Sequence, residues 1–119
     1  MKYNLTDSGK RETFESGAQR EPVTGKGRYD LISPFALERL AQVYEKGAGK
    51  YTDRNWEKGM KLSVFLNHAL YHITQFMMGY RNEDHLTQAI WNLIAIIHFQ
   101  ELKRDDLNDM PEWKTGRQR

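Results

Sequence analysis

Three stretches of this chain repeat apolar side chains at helical spacing, and the remainder does not. In the first, Leu37, Leu40, Ala41, Tyr44 and Ala48 fall at i, i+3, i+4, i+7 and i+11. Ser33 and Pro34 precede them as N-cap and first helical residue. Gly47 and Gly49 are expected to end that helix. The second stretch runs from about Ser63 to Met78, with Gly79 after it. Its core face is Leu62, Phe65, Leu66, Ala69, Ile73 and Phe76. The third, Glu83 to Phe99, reads EDHLTQAIWNLIAIIHF. Asn82 or Asp84 can cap it, and the acids Glu83 and Asp84 suit its positive end. From Ile90 onward it is apolar on nearly every face, which predicts a helix buried on several sides. The turn Tyr80-Arg81-Asn82 is so short that the second and third helices should be antiparallel neighbours.

The flanks lack such periods. Residues 1–29 are polar and interrupted by Gly9, Gly17, Gly25 and Gly27. They read as an extended arm that orders against a partner chain or a ligand. Beyond about Arg104, residues 105–119 are charged, contain Pro111 and Gly116, and read as a tail that Trp113 pins down. The fold class expected is all-α: a small bundle of three to four main helices in a single domain over residues 1–119. The arm is 1–29, the helical core 30–104 and the tail 105–119. There is no internal repeat.

Composition changes this picture little. At 119 residues the chain has room for a modest core. A net charge of +2 with scattered Lys and Arg argues against nucleic acid as a partner. The absence of cysteine excludes disulfides, thiolate metal sites and cysteine catalysis. No apolar leader and no run of ~20 apolar residues is present, so no membrane association and a cytoplasmic location are expected.

The informative residues are polar ones on helices that should be buried. His85, Gln88 and Asn92 share one stripe of the third helix at i, i+3 and i+7. His68, His72 and Gln75 share one stripe of the second at i, i+4 and i+7. In an antiparallel pair the two stripes can face each other, with His72 and Gln75 near His85 and Gln88. A polar cleft inside a bundle is a usual small-molecule site. His68 and His72 could instead ligate a metal from one helix face, although no glutamate stands between them. Equally, one of the two could be a hydrogen-bonded core residue and the other exposed.

Three further groups carry candidate chemistry. In GKGRYD, Lys26 and Arg28 between and after two glycines can hold a phosphate, or form a solvated turn. The loop KYTDRNWEKG concentrates Lys50, Tyr51, Arg54, Asn55 and Trp56. Its cations can hold phosphates, and its rings can stack on a base or plug the end of a bundle. On the first helix Glu38, Gln42 and Glu45 form a second stripe, a metal-binding face or merely its wet side.

The run from Gly25 to Gln100, with its pieces RYDLI, EKGAGKY and RNWEKG followed by LNHALYHITQF and HLTQAIWNLIAIIHF, resembles the N-terminal domain of phage dATP/dGTP diphosphohydrolases. These are grouped with MazG-like all-α nucleoside triphosphate pyrophosphatases. The resemblance implies an oligomeric bundle, a homodimer or homotetramer, located in the host cytoplasm. It further implies hydrolysis of a purine deoxynucleoside triphosphate to the monophosphate and pyrophosphate with Mg²⁺ or Mn²⁺. MazG-like enzymes hold those ions with carboxylates in EExxE and ExxD patterns. Here the first region offers Asn67, His68, Tyr71, His72 and Gln75, and the second Ala89-Ile90-Trp91-Asn92. The acids that remain as metal ligands are Glu45, Glu83 and Asp84, with Glu45 and Asp84 catalytic and His72 orienting phosphate or water. The nucleotide would be held by Lys26, Arg28, Lys50, Tyr51, Arg54, Asn55, Trp56, His68, Gln75, His85, Gln88 and Asn92. Two alternatives stand beside this: a non-catalytic protein that sequesters a nucleotide or nucleotide-derived signal of the host, and a structural oligomerisation module.

Overall fold

The computed structural model describes residues 3–111 and 116–117; Trp113 lies outside them. The chain divides into two compact units, Met1–Ser33 and Pro34–Arg119. The boundary therefore falls after Ser33, four residues later than expected for the arm.

Within the first unit the expected extended arm carries a small hairpin. Strand β1 (Glu12–Thr13) pairs antiparallel with β2 (Gln19–Arg20), with Glu12 opposite Arg20. Polar bonds hold it. Arg11 donates to Asp7 at 2.8 Å and to Glu21 at 3.1 Å, and the Ser8 hydroxyl donates to Glu21 at 2.7 Å. None of its described residues is buried, so there is no apolar core in this unit. A short 3-10 turn, Tyr29–Leu31, closes it.

The second unit is the all-α bundle: α1 (Pro34–Lys50), α2 (Leu62–Met77) and α3 (His85–Glu101). Helix α3 is the centre and packs against both α2 and α1. Pro34 opens α1 as expected. Gly47 and Gly49 do not end it; the helix continues through both to Lys50. Their cost in helix propensity is about 1 kcal/mol each relative to alanine, and α1 accepts it in its last turn.

Helix α2 stops where the sequence says it should. Gly79 takes the left-handed conformation, φ 91°. The Gly79 N–H donates to the Phe76 carbonyl at 3.0 Å and the Tyr80 N–H to the Gln75 carbonyl at 3.2 Å. This pair of bonds satisfies the open carbonyls and reverses the chain. Asp84 then caps α3, accepting from the Thr87 N–H at 3.2 Å.

The core is small. Leu62 and Phe65 of α2 meet Ala95 and Phe99 of α3, with Trp56, Trp91, Ile96 and Leu107 packed around them. The Phe65 and Phe99 rings stack with centroids 6.1 Å apart. Two expectations are corrected here. Helix α3 is not buried on several sides: Leu86, Ile90, Leu93 and Ile97 are 40, 42, 39 and 57 % exposed. Two neighbouring helices cannot cover the whole of a third. On α1, Leu37 and Ala41 are exposed as well, and the half-buried face is Leu40, Val43, Tyr44 and Ala48.

The start of the expected tail is also part of the fold. Residues Asp105–Leu107 form a 3-10 turn, and Leu107, Asn108 and Met110 are half-buried. Asp109 accepts from the Ser63 N–H at 3.0 Å and from its hydroxyl, which caps α2 from far along the chain. Gly59, φ 89°, lets Leu107 approach: a Cβ there would stand 3.1 Å from Leu107 Cδ1. Among the described residues no helix is long and apolar enough to cross a membrane.

Candidate functional site

The two polar stripes do meet, at the α2–α3 turn. His72 is 7 % exposed and His85 2 %. Their Nδ1 atoms lie 3.0 Å apart, with ring centroids 5.3 Å apart. On its other side His85 Nε2 donates to Asn82 Oδ1 at 3.2 Å. With its single proton on Nε2, His85 accepts at Nδ1, so His72 donates from Nδ1. Burial pushes the His72 imidazole below its usual pKa. The neighbouring His85 adds to that shift, and Glu83 opposes it.

The other members of the stripes divide. Gln88 donates to Glu83 at 3.2 Å. Asn92 is 5 % exposed and donates to the Gln88 carbonyl at 2.9 Å, two helical turns from His85. Gln75 is half-buried on α2. His68 is exposed, so the reading in which His68 and His72 share a metal on one helix face gives way to the other: one core histidine, one on the surface.

An open cleft of about 570 Å³ adjoins the histidine pair, lined by Arg39, Lys46, Phe76, Tyr80, Arg81, Glu83, Asp84 and His85 among others. It carries three cations against two carboxylates. Arg81 folds over the Phe76 ring, its guanidinium carbon 4.5 Å from the centroid, and donates to the Tyr80 carbonyl at 2.8 Å. Arg39, Lys46 and Arg81 were not among the residues expected from the sequence. Arg81 had a signal: a turn joining two polar stripes must sit at the mouth of whatever they line. Arg39 and Lys46 had none, because only the crossing of α1 brings them there.

The carboxylates expected as metal ligands are engaged or elsewhere. Arg39 binds Asp84 through two nitrogens, with Nε to Oδ2 at 2.9 Å. That contact, helped by the Thr87 bonds, holds the Asp84 carboxyl at a pKa of about 2. Glu45 stands exposed on α1 and does not line the cleft. Among the described residues no three His, Asp or Glu side chains form a group that could hold a metal. Hard Mg²⁺ or Mn²⁺ wants several negative oxygens. Within one chain the donors at this cleft do not supply them.

The Lys50–Gly59 loop lies at the other end of the bundle. Trp56 packs edge-on against His98 at 4.7 Å and approaches Tyr44 and Phe99, each at 6.3 Å. His98 follows His85 by thirteen residues on α3, about 20 Å along its axis. The Trp56 ring therefore packs against the core at that end of the bundle, the plugging role that the loop's aromatic content also allowed. Tyr51 is exposed beside Lys50, whose Nζ is 5.4 Å from the ring. Arg54 pairs with Glu57, and Asn55 opens the 3-10 turn Asn55–Lys58. Lys26 and Arg28 belong to the first unit, where Arg28 binds Asp30 at 2.9 and 2.8 Å.

The second unit is thus a three-helix all-α bundle with a buried histidine pair beside a cation-lined cleft. The chain matches the family model described as dATP/dGTP diphosphohydrolase, N-terminal, over residues 16–109, and it belongs to that family. Among curated proteins and solved structures none matches it.

Proposed function

We propose that this protein binds purine deoxynucleoside triphosphates in the cleft at the α2–α3 turn and hydrolyses them to the monophosphate and pyrophosphate. The reading is carried by one observation: a member of this family has Arg39, Lys46 and Arg81 lining a single cleft beside His85. Lys46 and Arg81 are the cations suited to polyphosphate, since Arg39 is committed to Asp84. Tyr80, 54 % exposed on the same cleft, offers a ring to the base.

A specific observation favours a second reading, binding without cleavage. Asp84 is already satisfied by Arg39 and by the α3 N-terminus, and among the described residues no group of three acidic or histidine side chains includes it. The scaffold would then sequester a nucleotide. One experiment separates the two. The protein is incubated with dATP or dGTP and Mg²⁺ or Mn²⁺, and both monophosphate release and binding heat are followed. Turnover supports hydrolysis. Saturable heat without turnover supports sequestration. Neither signal, with Lys46→Ala and Arg81→Ala behaving like wild type, removes both and leaves a structural oligomerisation module.

We also propose that a second copy covers the apolar face of α2 and α3. Leu70, Ile73 and Met77 on α2 and Leu86, Ile90, Leu93 and Ile97 on α3 are 36–76 % exposed. Together they offer apolar area on the scale of the ~800 Å² each partner gives a standard interface. The face carries an apolar stripe on both antiparallel helices, at i, i+3 and i+7 on α2 and at i, i+4, i+7 and i+11 on α3, which suits a two-fold pairing. Sedimentation equilibrium should give a dimer or tetramer, and Ile90→Glu should give a monomer. A monomeric wild type overturns this.

A further inference from the structure

Asn82 and Glu83 stand side by side on the cleft, and both are exposed. Their hydrogen-bonding polarity is set from inside the bundle. His72 donates from Nδ1 to His85 Nδ1 at 3.0 Å, which leaves the His85 proton on Nε2. That N–H donates to Asn82 Oδ1 at 3.2 Å. The Asn82 amide therefore spends its oxygen on His85. Its Nδ2 group, with two N–H donors and no protein partner among the described residues, is left to the cleft. Glu83 is the complement. Its Oε1 accepts from Gln88 Nε2 at 3.2 Å, which steadies the side chain, and an ionised carboxylate only accepts. The cleft thus presents a donor next to an acceptor, in an order that the buried histidine pair keeps from flipping.

We propose that Asn82 and Glu83 read the base and select guanine over adenine, with His72 and His85 as positioning residues; this rests on the purine nucleotide binding proposed for the same cleft. The Watson–Crick edge of guanine carries the O6 acceptor, then the N1–H and N2 amino donors. Asn82 Nδ2 donates to O6, and the Glu83 carboxylate accepts from N1–H and from the N2 amino group. Two parallel bonds to one carboxylate are charge-assisted and stronger than neutral ones. Adenine offers the reverse order. Its N6 amino donor faces the Asn82 N–H groups, and its N1 lone pair faces the carboxylate. Each mismatch leaves a donor or an acceptor unpaired, and a site built for one hydrogen-bonding edge rejects the other more strongly than an apolar slot does. Tyr80, two residues before Asn82 on the same cleft, supplies a ring on which either base can stack. Stacking therefore holds purines in general, and the Asn82–Glu83 pair separates them.

The test titrates the whole chain, by calorimetry in Mg²⁺, with the α,β-methylene analogues of dGTP, dATP and dITP, which resist cleavage between the α and β phosphates. The guanine analogue should bind about 10- to 100-fold more tightly than the adenine one, the range for losing a hydrogen bond to a charged group. Hypoxanthine keeps O6 and N1–H and lacks the N2 amino group, so its analogue should fall between them. Glu83→Gln offers adenine both an acceptor and a donor. Asn82→Asp still accepts from His85 but has no N–H for O6. Each should bring the guanine-to-adenine ratio to within about twofold. The ratio compares two ligands on one protein, so a loss of folded protein does not move it. In the wild type the His85 nitrogen resonances should show a neutral ring protonated at Nε2. Equal affinity for the two analogues, tighter adenine binding, a ratio unmoved in either variant, or His85 protonated at Nδ1 overturns the assignment and leaves nucleotide binding intact. No saturable binding of any of the three analogues removes nucleotide binding itself, and the base selection with it.

Discussion

The guanidinium of Arg39 and the carboxylate of Asp84 join α1 to the first turn of α3 by two parallel hydrogen bonds, Nε to Oδ2 at 2.9 Å and Nη2 to Oδ1 at 2.5 Å. Forty-five residues separate them in the chain. The same carboxylate caps α3 at Thr87. Asp84 thus acts first as a clamp, and its loss should behave as the loss of a contact. Arg39→Ala and Asp84→Asn should each lower the thermal midpoint. Their double mutant should fall by clearly less than the sum, because both remove one interaction. Additive losses would mean that the two side chains act independently.

Trp56 separates a structural from a ligand-binding role. Its ring is half-buried against Tyr44, His98 and Phe99. Trp56→Ala should cost about 2–4 kcal/mol in urea unfolding, below a fully buried tryptophan because part of the ring is exposed. Purine nucleotide affinity, measured by calorimetry under conditions where the variant is folded, should stay within about twofold, a free-energy change smaller than one ordinary hydrogen bond. A large loss of affinity would return Trp56 to the binding site.

Lys103 holds a conformation that favours glycine, φ 55°, just past the end of α3. Its N–H donates to the Gln100 carbonyl and the Arg104 N–H to the Phe99 carbonyl, each at 3.0 Å. An L side chain in this region costs about 1–2 kcal/mol, and glycine gives back part of that in chain entropy. Lys103→Gly should therefore stabilise the protein by about 0.5–1 kcal/mol, read as a higher urea midpoint at unchanged m.

Asp109 supplies a pH dependence with a definite sign. Its bonds to Ser63 hold the carboxyl below its usual pKa. A group whose folded pKa is depressed contributes fully above its unfolded value, about pH 4, and loses that contribution as the pH falls through the lower folded value. Wild type should exceed Asp109→Asn in unfolding midpoint at pH 7, and the two should converge as the pH is taken below 3. A gap that is constant with pH would mean the carboxylate charge has no part in the cap.

Much of the fold was legible along the chain. Apolar spacing and end signals put the helices within two or three residues of α1, α2 and α3, and the short Tyr80-Arg81-Asn82 turn announced the antiparallel pair. The His72–His85 meeting also followed from spacing, since two polar stripes on adjoining helices can satisfy each other only by facing. The misreadings share a cause. Periodicity says which residues share a face, and it does not say how many neighbours cover that face. Hence Ile90 and Leu93 looked like core and are exposed, while Asp109 looked like tail and caps α2.

Local relations were legible from the chain alone: where helices start and stop, which side chains share a stripe, and that α2 carries no acidic side chain. Local propensity and capping involve only residues a few positions apart. What closes the cleft depended on the tertiary structure. Arg39 reaches Asp84 across forty-five residues, Lys46 arrives with it, and Trp56 is carried to the far end of α3. Those relations depend on how the helices cross, and no spacing within one helix encodes a crossing.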